Sequence, residues 1–149
     1  MLVDPKEVMP PSNKEALSRF IKAAAKCNIN AELITARDYP RLGEYDGLFI
    51  RETTAIDHHT FRFARKAEIE GMVVIDDPTS ILRCCNKVFL QDAVTYNGVP
   101  ALKTQVFSTH TPDDLDAIEK EFGYPVVLKI PEGSFSKGVF KAANREELL

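Results

Sequence analysis

The stretch Tyr124-Pro-Val-Val-Leu-Lys-Ile-Pro-Glu-Gly-Ser-Phe-Ser-Lys-Gly-Val-Phe-Lys141 decides how the rest of the chain is read. Residues 126–130 are apolar apart from Lys129, and a turn-rich segment bounded by Gly133 and Gly138 follows before β-prone residues resume. That order reads as strand, loop, strand. A lysine inside a buried apolar run is costly unless its ammonium meets an anion or a carboxylate, and a loop of small residues offers backbone N–H groups to the same anion. Together they describe a phosphate clamp. A second reading has Lys129 snorkelling from an edge strand and the two glycines serving an ordinary hairpin. This stretch alone leaves the two readings level. It is not a P-loop, because the Gly-Lys-Ser/Thr ending is absent, and no dinucleotide fingerprint is present.

Working outward, 149 residues with 44% hydrophobic content can bury a core in one domain or in two small lobes. A net charge of −3 gives no general pull toward nucleic acid or an anionic membrane, so neither partner is expected. Any anion site must then be local, with Lys87, Lys129, Lys137 and Lys141 as its cations. No apolar run is long enough to span a bilayer, and the opening Met-Leu-Val-Asp-Pro lacks a basic head followed by a hydrophobic segment, so a cytoplasmic setting is expected. Cys27, Cys84 and Cys85 are odd in number and match no zinc spacing, which suits a reducing compartment and buried or half-buried thiols.

The chain before the stretch alternates. Leu2-Val3 reads as the tail of a strand. Ser12 or Asn13 caps a helix carrying Leu17, Phe20, Ile21 and Ala24, which ends near Cys27-Asn28. Residues 31–35 read as a short strand and 36–45, with Pro40 and Gly43, as a loop. Residues 48–50 form a strand that stops at Arg51-Glu52-Thr53-Thr54, a polar exit where open α/β sheets place ligand contacts. Asp57 caps the next helix, with Phe61, Ala64, Ala67 and Ile69 inward and Gly71 at its end. Residues 72–75 form an uninterruptedly apolar strand of the buried parallel kind. Pro78 starts a short helix, Asn86-Lys87 a helix to about Tyr96, and Asn97-Gly-Val-Pro100 stops it. Residues 101–107 read as a strand, and Thr111-Pro112 opens a helix with Leu115, Ile118 and Phe122 buried and Gly123 closing it. Asn144 caps a last helix that is cut off within two turns, which suggests a piece of a longer protein. The fold class is α/β, with residues 1–80 as one lobe, 81–149 as a second, and the seam near residues 76–87.

The order of these motifs resembles the ATP-grasp superfamily, in particular its RimK-like and glutathione synthetase-type carboxylate–amine ligases. Residues 71–87, Gly-Met-Val-Val-Ile-Asp-Asp-Pro-Thr-Ser-Ile-Leu-Arg-Cys-Cys-Asn-Lys, look like the family's strand, Pro-capped helix and Asn-Lys junction. Asn97-Gly-Val-Pro-Ala-Leu-Lys-Thr104 looks like the next boundary. Tyr124-Pro-Val-Val-Leu-Lys129 and Glu132-Gly-Ser-Phe-Ser-Lys-Gly-Val139 resemble the nucleotide-binding strand and its glycine-rich flap. The likeness covers roughly residues 46–142.

That resemblance implies a pre-ATP-grasp lobe on a small parallel sheet, over residues 1–80, followed by the N-terminal half of an ATP-grasp domain over 81–149. It implies an ATP-dependent ligase joining a small-molecule or peptide carboxylate to an amine or thiol through an acyl phosphate. Lys87 and Lys129 would contact ATP phosphates; Glu132, Gly133, Ser134, Ser136, Lys137 and Gly138 would form the flap over the nucleotide. Arg51, Glu52 and Thr53 would lie where such ligases hold a substrate carboxylate. ATP and Mg²⁺ are the implied cofactors, with the Mg²⁺ ligands and the adenine-contacting hinge expected beyond Leu149, so that residues 1–149 alone are not expected to turn over. Homo-oligomers remain open. The alternative is a non-catalytic module that holds a nucleotide or another anion for regulation.

Other candidates are weaker. Asp57-His58-His59 suggests a metal only superficially, because adjacent histidines on a helix point apart and no third ligand recurs at helical spacing, so no metal ligand is expected within the chain. Nothing in sequence fixes the separation of Glu52 and Asp57 as paired carboxylates. Arg62, Arg65 and Lys66 read as a solvated helix face, and no cysteine or serine sits in a nucleophile motif.

Overall fold

A computed structural model describes residues 1–108, 111–133 and 138–149. The chain divides into two compact units, Met1–Leu82 and Arg83–Leu149.

The first unit is built on a small parallel sheet. Strand β1 (Gly47–Phe49) pairs in parallel with β2 (Val73–Ile75), Gly47 opposite Val73 and Phe49 opposite Ile75. On the other side of β1, Leu2 bridges in parallel to both Ile34 and Ile50. The chain through Leu2 is thus bonded on both edges: on one, the Leu2 N–H donates to the Phe49 carbonyl and its carbonyl accepts from the Arg51 N–H; on the other, the Ile34 N–H donates to the Met1 carbonyl and the Val3 N–H to the Ile34 carbonyl. The strand expected over 31–35 shrinks to this single bridge at Ile34. Residues 36–45 differ more, because Ala36–Glu44 winds into 3₁₀ turns. Thr35 and Asp38 close a reciprocal capping box there, each side chain meeting the other's backbone N–H, and this local bonding overrides the Pro40 and Gly43 loop signals.

Helix α1 (Lys14–Lys26) is capped by Asn13, whose Oδ1 accepts from the Ala16 N–H at 2.8 Å. Helix α2 (His59–Ile69) packs on the sheet through Thr60, Phe63, Ala64 and Ala67. Those positions fall three and four apart, one continuous stripe, whereas the expected stripe included Ile69, which is 76% exposed. The N-cap is His58, not Asp57, and it makes no side-chain cap bond. The core of this unit is Leu2, Ile34, Leu42, Leu48, Ile50, Phe63, Ala64, Ala67 and Ile81. Strand β2 is not the buried strand expected: Val73 is 73% exposed and Ile75 54%, because the described residues cover one face of this edge and leave the other open.

Helix α3 (Pro78–Cys85) begins at the expected proline, with Asp77 accepting from both the N–H and the hydroxyl of Ser80. In the second unit, α4 (Lys87–Tyr96) has the bounds read from sequence, with Asn86 as cap. Residues 101–107 form no strand; nothing among the described residues pairs with them, and Leu102 is 85% exposed. Helix α5 (Pro112–Phe122) starts on a Thr111–Asp114 capping box and ends at Gly123, whose φ of 65° suits a residue without Cβ. Strands β3 (Val126–Lys129) and β4 (Val139–Ala142) pair antiparallel, and α6 (Arg145–Leu148) follows. Ile118, Val126 and Ala142 form the core here, with Phe107, Phe122, Tyr124 and Leu148 packed against it.

The thiols are more open than expected, since Cys27 and Cys84 are exposed and Cys85 half-buried. Among the described residues no helix is long and apolar enough to cross a membrane.

Candidate functional site

Register decides what Lys129 can do. Val126 and Ala142 are opposite and buried, so that face of the hairpin looks into the core, while Val127 and Lys129 point the other way, with Lys141 opposite Val127 and Val139 opposite Lys129. Lys129 is exposed, so the cost of an ammonium in an apolar interior does not arise. Lys129 and Lys141 are diagonal neighbours on one open face, roughly 7–8 Å apart at that pairing. No described residue hydrogen-bonds or ion-pairs with the Lys129 side chain.

Strand β3 runs out through Ile130 into a turn, and that turn is tied to the start of α4. The Lys87 N–H donates to the Pro131 carbonyl at 2.9 Å. Its ammonium folds back over the same turn, donating to the carbonyls of Pro131 at 3.3 Å and Gly133 at 2.5 Å. Asn86 adds a longer contact, Nδ2 to Glu132 Oε1 at 3.4 Å. Asn86-Lys87 and the turn at 131–133, more than 40 residues apart in sequence, therefore meet, and Lys129 precedes Pro131 by two residues. The helix N-terminus is not itself the anion site: Asn86 Oδ1 accepts from Val88 and Phe89, and Lys87 is spent on Pro131, so the first three amides are all satisfied. Positive charge on Lys87 remains, because carbonyls orient an ammonium without neutralising it.

The far end of the loop returns at Gly138. Its carbonyl accepts from Ile130 at 2.9 Å, its φ is 70°, and a Cβ there would fall 2.5 Å from the end of the Ile130 side chain. A side chain at 138 would have to displace Ile130 and adopt a positive φ that glycine takes without strain. Ser134, Ser136 and Lys137 lie outside the described residues. A separate concavity of about 410 Å³, lined by residues that include Lys103, Thr104, Lys120 and Phe122, contains none of the expected phosphate ligands.

The three consecutive residues leaving β1 are spent on three different partners. Arg51 donates from Nε and a terminal nitrogen to Ser12 Oγ, at 2.8 and 2.6 Å, and to the Pro11 carbonyl at 3.0 Å. Its guanidinium also lies 5.0 Å from the Phe49 ring centroid and 5.5 Å from that of Phe20. Thr53 donates its N–H and its hydroxyl to the Glu7 carboxylate. Glu52 turns inward: it is 3% exposed, its Oε2 lies 2.5 Å from His59 Nε2, and its Oε1 is buried without a hydrogen-bond partner. Burial pushes the Glu52 carboxyl up to about 7, with the Asp4 and Glu7 carboxylates adding to the rise and His58 opposing it. Burial lowers both histidines, His58 further through His59 and His59 further through Arg62.

His58 and His59 do not point apart. Their ring centroids are 3.9 Å apart and both are half-buried. Glu52, His58 and His59 each bring one ligand atom within 4.8 Å of the others. Sequence reasoning missed this cluster because its third member comes from the strand before the helix; the signal was the polar exit of β1, which in a parallel α/β unit faces the start of the next helix.

No family model matches the chain. It is 40% identical over 80 residues to the alpha-aminoadipate–LysW ligase LysX of Saccharolobus solfataricus, covering 52% of this chain and 28% of that protein. It is 34% identical over 85 residues to human N-acetylaspartylglutamate synthase A, 56% of this chain and 22% of the relative. With the ribosomal protein bS6–L-glutamate ligase of Escherichia coli it shares 28% identity over 107 residues, 71% and 35% of the two chains. Each match thus spans well under two thirds of the relative. In fold it is similar to the biotin carboxylase domain of the Hydrogenobacter thermophilus 2-oxoglutarate carboxylase, crystallised as a dimer with MgADP, ADP and bicarbonate; the TM-score is 0.66 at 18% identity, over 95% of this chain and 39% of that one. The chain therefore resembles RimK-like ATP-grasp ligases in sequence, and its α/β fold is that of an ATP-grasp neighbour.

Proposed function

We propose that residues 1–149 are the N-terminal, nucleotide-gripping part of an ATP-dependent ligase that joins a carboxylate to an amine or thiol. One observation supports it above the rest: the Asn86-Lys87 helix start is bonded to the turn at 131–133 that opens a glycine-bounded loop, in a chain whose sequence relatives are ligases. In this reading Lys87 is pre-positioned by two carbonyls at the mouth of the loop, and Lys129 supplies an ammonium without a partner among the described residues, from the open face of β3. Gly138 holds the loop's return close to Ile130. In this reading Lys87 is held in place before a polyphosphate arrives, and Lys129 closes on it from the open face of the strand.

The residues fit a polyphosphate; they do not fit Mg²⁺. Glu132 is the carboxylate at the loop mouth and it faces Asn86, so in this reading the magnesium ligands and the acyl-phosphate chemistry come from outside residues 1–149. Residues 1–80 then act as the pre-grasp lobe.

ATP-dependent thermal stabilisation tests the reading. Ligand at 100 times its Kd stabilises by about 2.7 kcal/mol. The chain gains melting temperature with millimolar ATP or tripolyphosphate, and Lys129→Ala loses most of the gain. No shift with either ligand, or an equal shift in Lys129→Ala, overturns it.

A further inference from the structure

We propose that Glu52, His58 and His59 form a binding site for a divalent transition metal of the zinc class, in the N-terminal unit and independent of the ligase reading.

The first observation is the donor set. Two imidazoles and one carboxylate each place a ligand atom within 4.8 Å of the other two. Ligand atoms bound to one tetrahedral ion at about 2.0–2.2 Å are roughly 3.4 Å from each other, so side-chain rotations of about 1 Å gather the three around a common centre. Two nitrogens and one oxygen suit a borderline ion such as Zn²⁺, Co²⁺ or Ni²⁺, while Mg²⁺ and Ca²⁺ prefer all-oxygen sets. Three protein ligands leave at least one position for water or another small ligand.

The second observation is independent of the first. Glu52 is almost wholly buried, and its Oε1 has no hydrogen-bond partner. Buried carboxylate oxygens are normally satisfied, and an ion held against the two rings by both oxygens of this carboxylate satisfies it. At present Oε2 meets His59 Nε2 at 2.5 Å, and the ion would take the place of the proton between them.

The surroundings orient the rings as metal sites do. His58 Nδ1 lies 3.1 Å from the hydroxyl oxygen of the fully buried Thr60, so with Nδ1–H donating there Nε2 is left with its lone pair. Asp4 and Glu7 act on Glu52 as negative charges, which favours a cation, and Arg62, acting on His59, is the opposing charge. The three ligands come from the end of β1 and the start of α2, fixed to each other by the sheet beneath them.

The test is metal titration of the tag-free chain with Zn²⁺ by calorimetry and with Co²⁺ by visible absorption. One equivalent binds, Co²⁺ gives a d–d spectrum, and millimolar Mg²⁺ does not displace either. His59→Gln and His58→Gln each weaken binding roughly 100-fold or more, and Thr60→Val by about 10-fold, the scale set by loss of an orienting partner. Glu52→Gln removes a charge from the interior, so the half-buried histidine variants, checked by circular dichroism, carry the result. A Cys84→Ser/Cys85→Ser chain binds as the wild type does. Absence of stoichiometric binding, binding that survives both histidine substitutions, or binding lost with the cysteines overturns the proposal.

Discussion

Replacing Gly138 by alanine perturbs the loop at the point where it closes. The new Cβ falls 2.5 Å from Ile130 Cδ1, 2.8 Å from Cγ1 and 3.1 Å from Cβ, and the backbone sits at φ 70°. An L residue in that region costs about 1–2 kcal/mol. Ile130 is half exposed and can turn away, but leaving its rotamer costs about 1 kcal/mol. Alanine recovers about 0.4–1 kcal/mol by restricting the unfolded chain. The net loss is about 2 kcal/mol, and for a unit of under 100 residues each kcal/mol moves the melting temperature by roughly 4–8 °C. Urea denaturation followed on the second unit, with Ile130→Ala and the double variant, separates the two terms. In the Ile130→Ala background the loss shrinks by about 1 kcal/mol, because the contacts to Cδ1 and Cγ1 are gone, while the dihedral cost and the contact to the residue-130 Cβ stay. A Gly138→Ala chain as stable as the wild type, or a loss that ignores Ile130, refutes the reasoning.

Asn86→Ala removes the acceptor for the Val88 and Phe89 amides and the contact to Glu132, and lowers the stability of the second unit by about 1 kcal/mol in the same assay. For pH, the Thr35 N–H foremost, and then its hydroxyl and Arg41, hold the Asp38 carboxyl below its ordinary value of 3.8. A depressed carboxylate contributes stability that is present above the unfolded value and lost as pH falls through the folded one. Asp38→Asn therefore flattens the acid limb of the stability profile, read by urea denaturation at a series of acidic pH values.

Local signals carried most of what the sequence revealed. Asn86 before a helix former and Thr111-Pro112 with Asp114 three residues after the threonine are complete N-terminal signatures, and α4 and α5 begin where they say. The hairpin at 126–142 is equally local, two β-prone runs about a turn. Phase was harder. Phe61 and Ile69 looked like core in α2, yet burial follows Thr60, Phe63, Ala64 and Ala67, because one threonine without a charge can sit inside where sequence counting favours a phenylalanine. Residues 101–107 have strand composition and no partner edge among the described residues, and pairing is a property of two segments, not of one. The 3₁₀ turns at Ala36–Glu44 rest on a capping box that the proline and glycine masked.

The candidate sites divide along the same line. Lys87, Lys129 and the glycines were named from their motifs, but sequence could not show that the Lys87 ammonium is anchored on the carbonyls of Pro131 and Gly133, or that Lys129 lies on an open face. Arg51, Glu52 and Thr53 were read as one substrate patch. Their side chains diverge, toward Ser12, His59 and Glu7; successive residues leaving a strand face opposite ways, which turns Glu52 inward from its two neighbours.

The central claim is that Lys87 and Lys129 grip one polyphosphate. An ATP acyl phosphate transfers its acyl group to lysines that lie against its phosphates, and mass spectrometry reads the sites. Labelling concentrates on Lys87 and Lys129 and is suppressed by excess ATP, while Lys22 and Lys66 of the first unit stay unlabelled. Labelling spread over all lysines and indifferent to ATP would contradict the account.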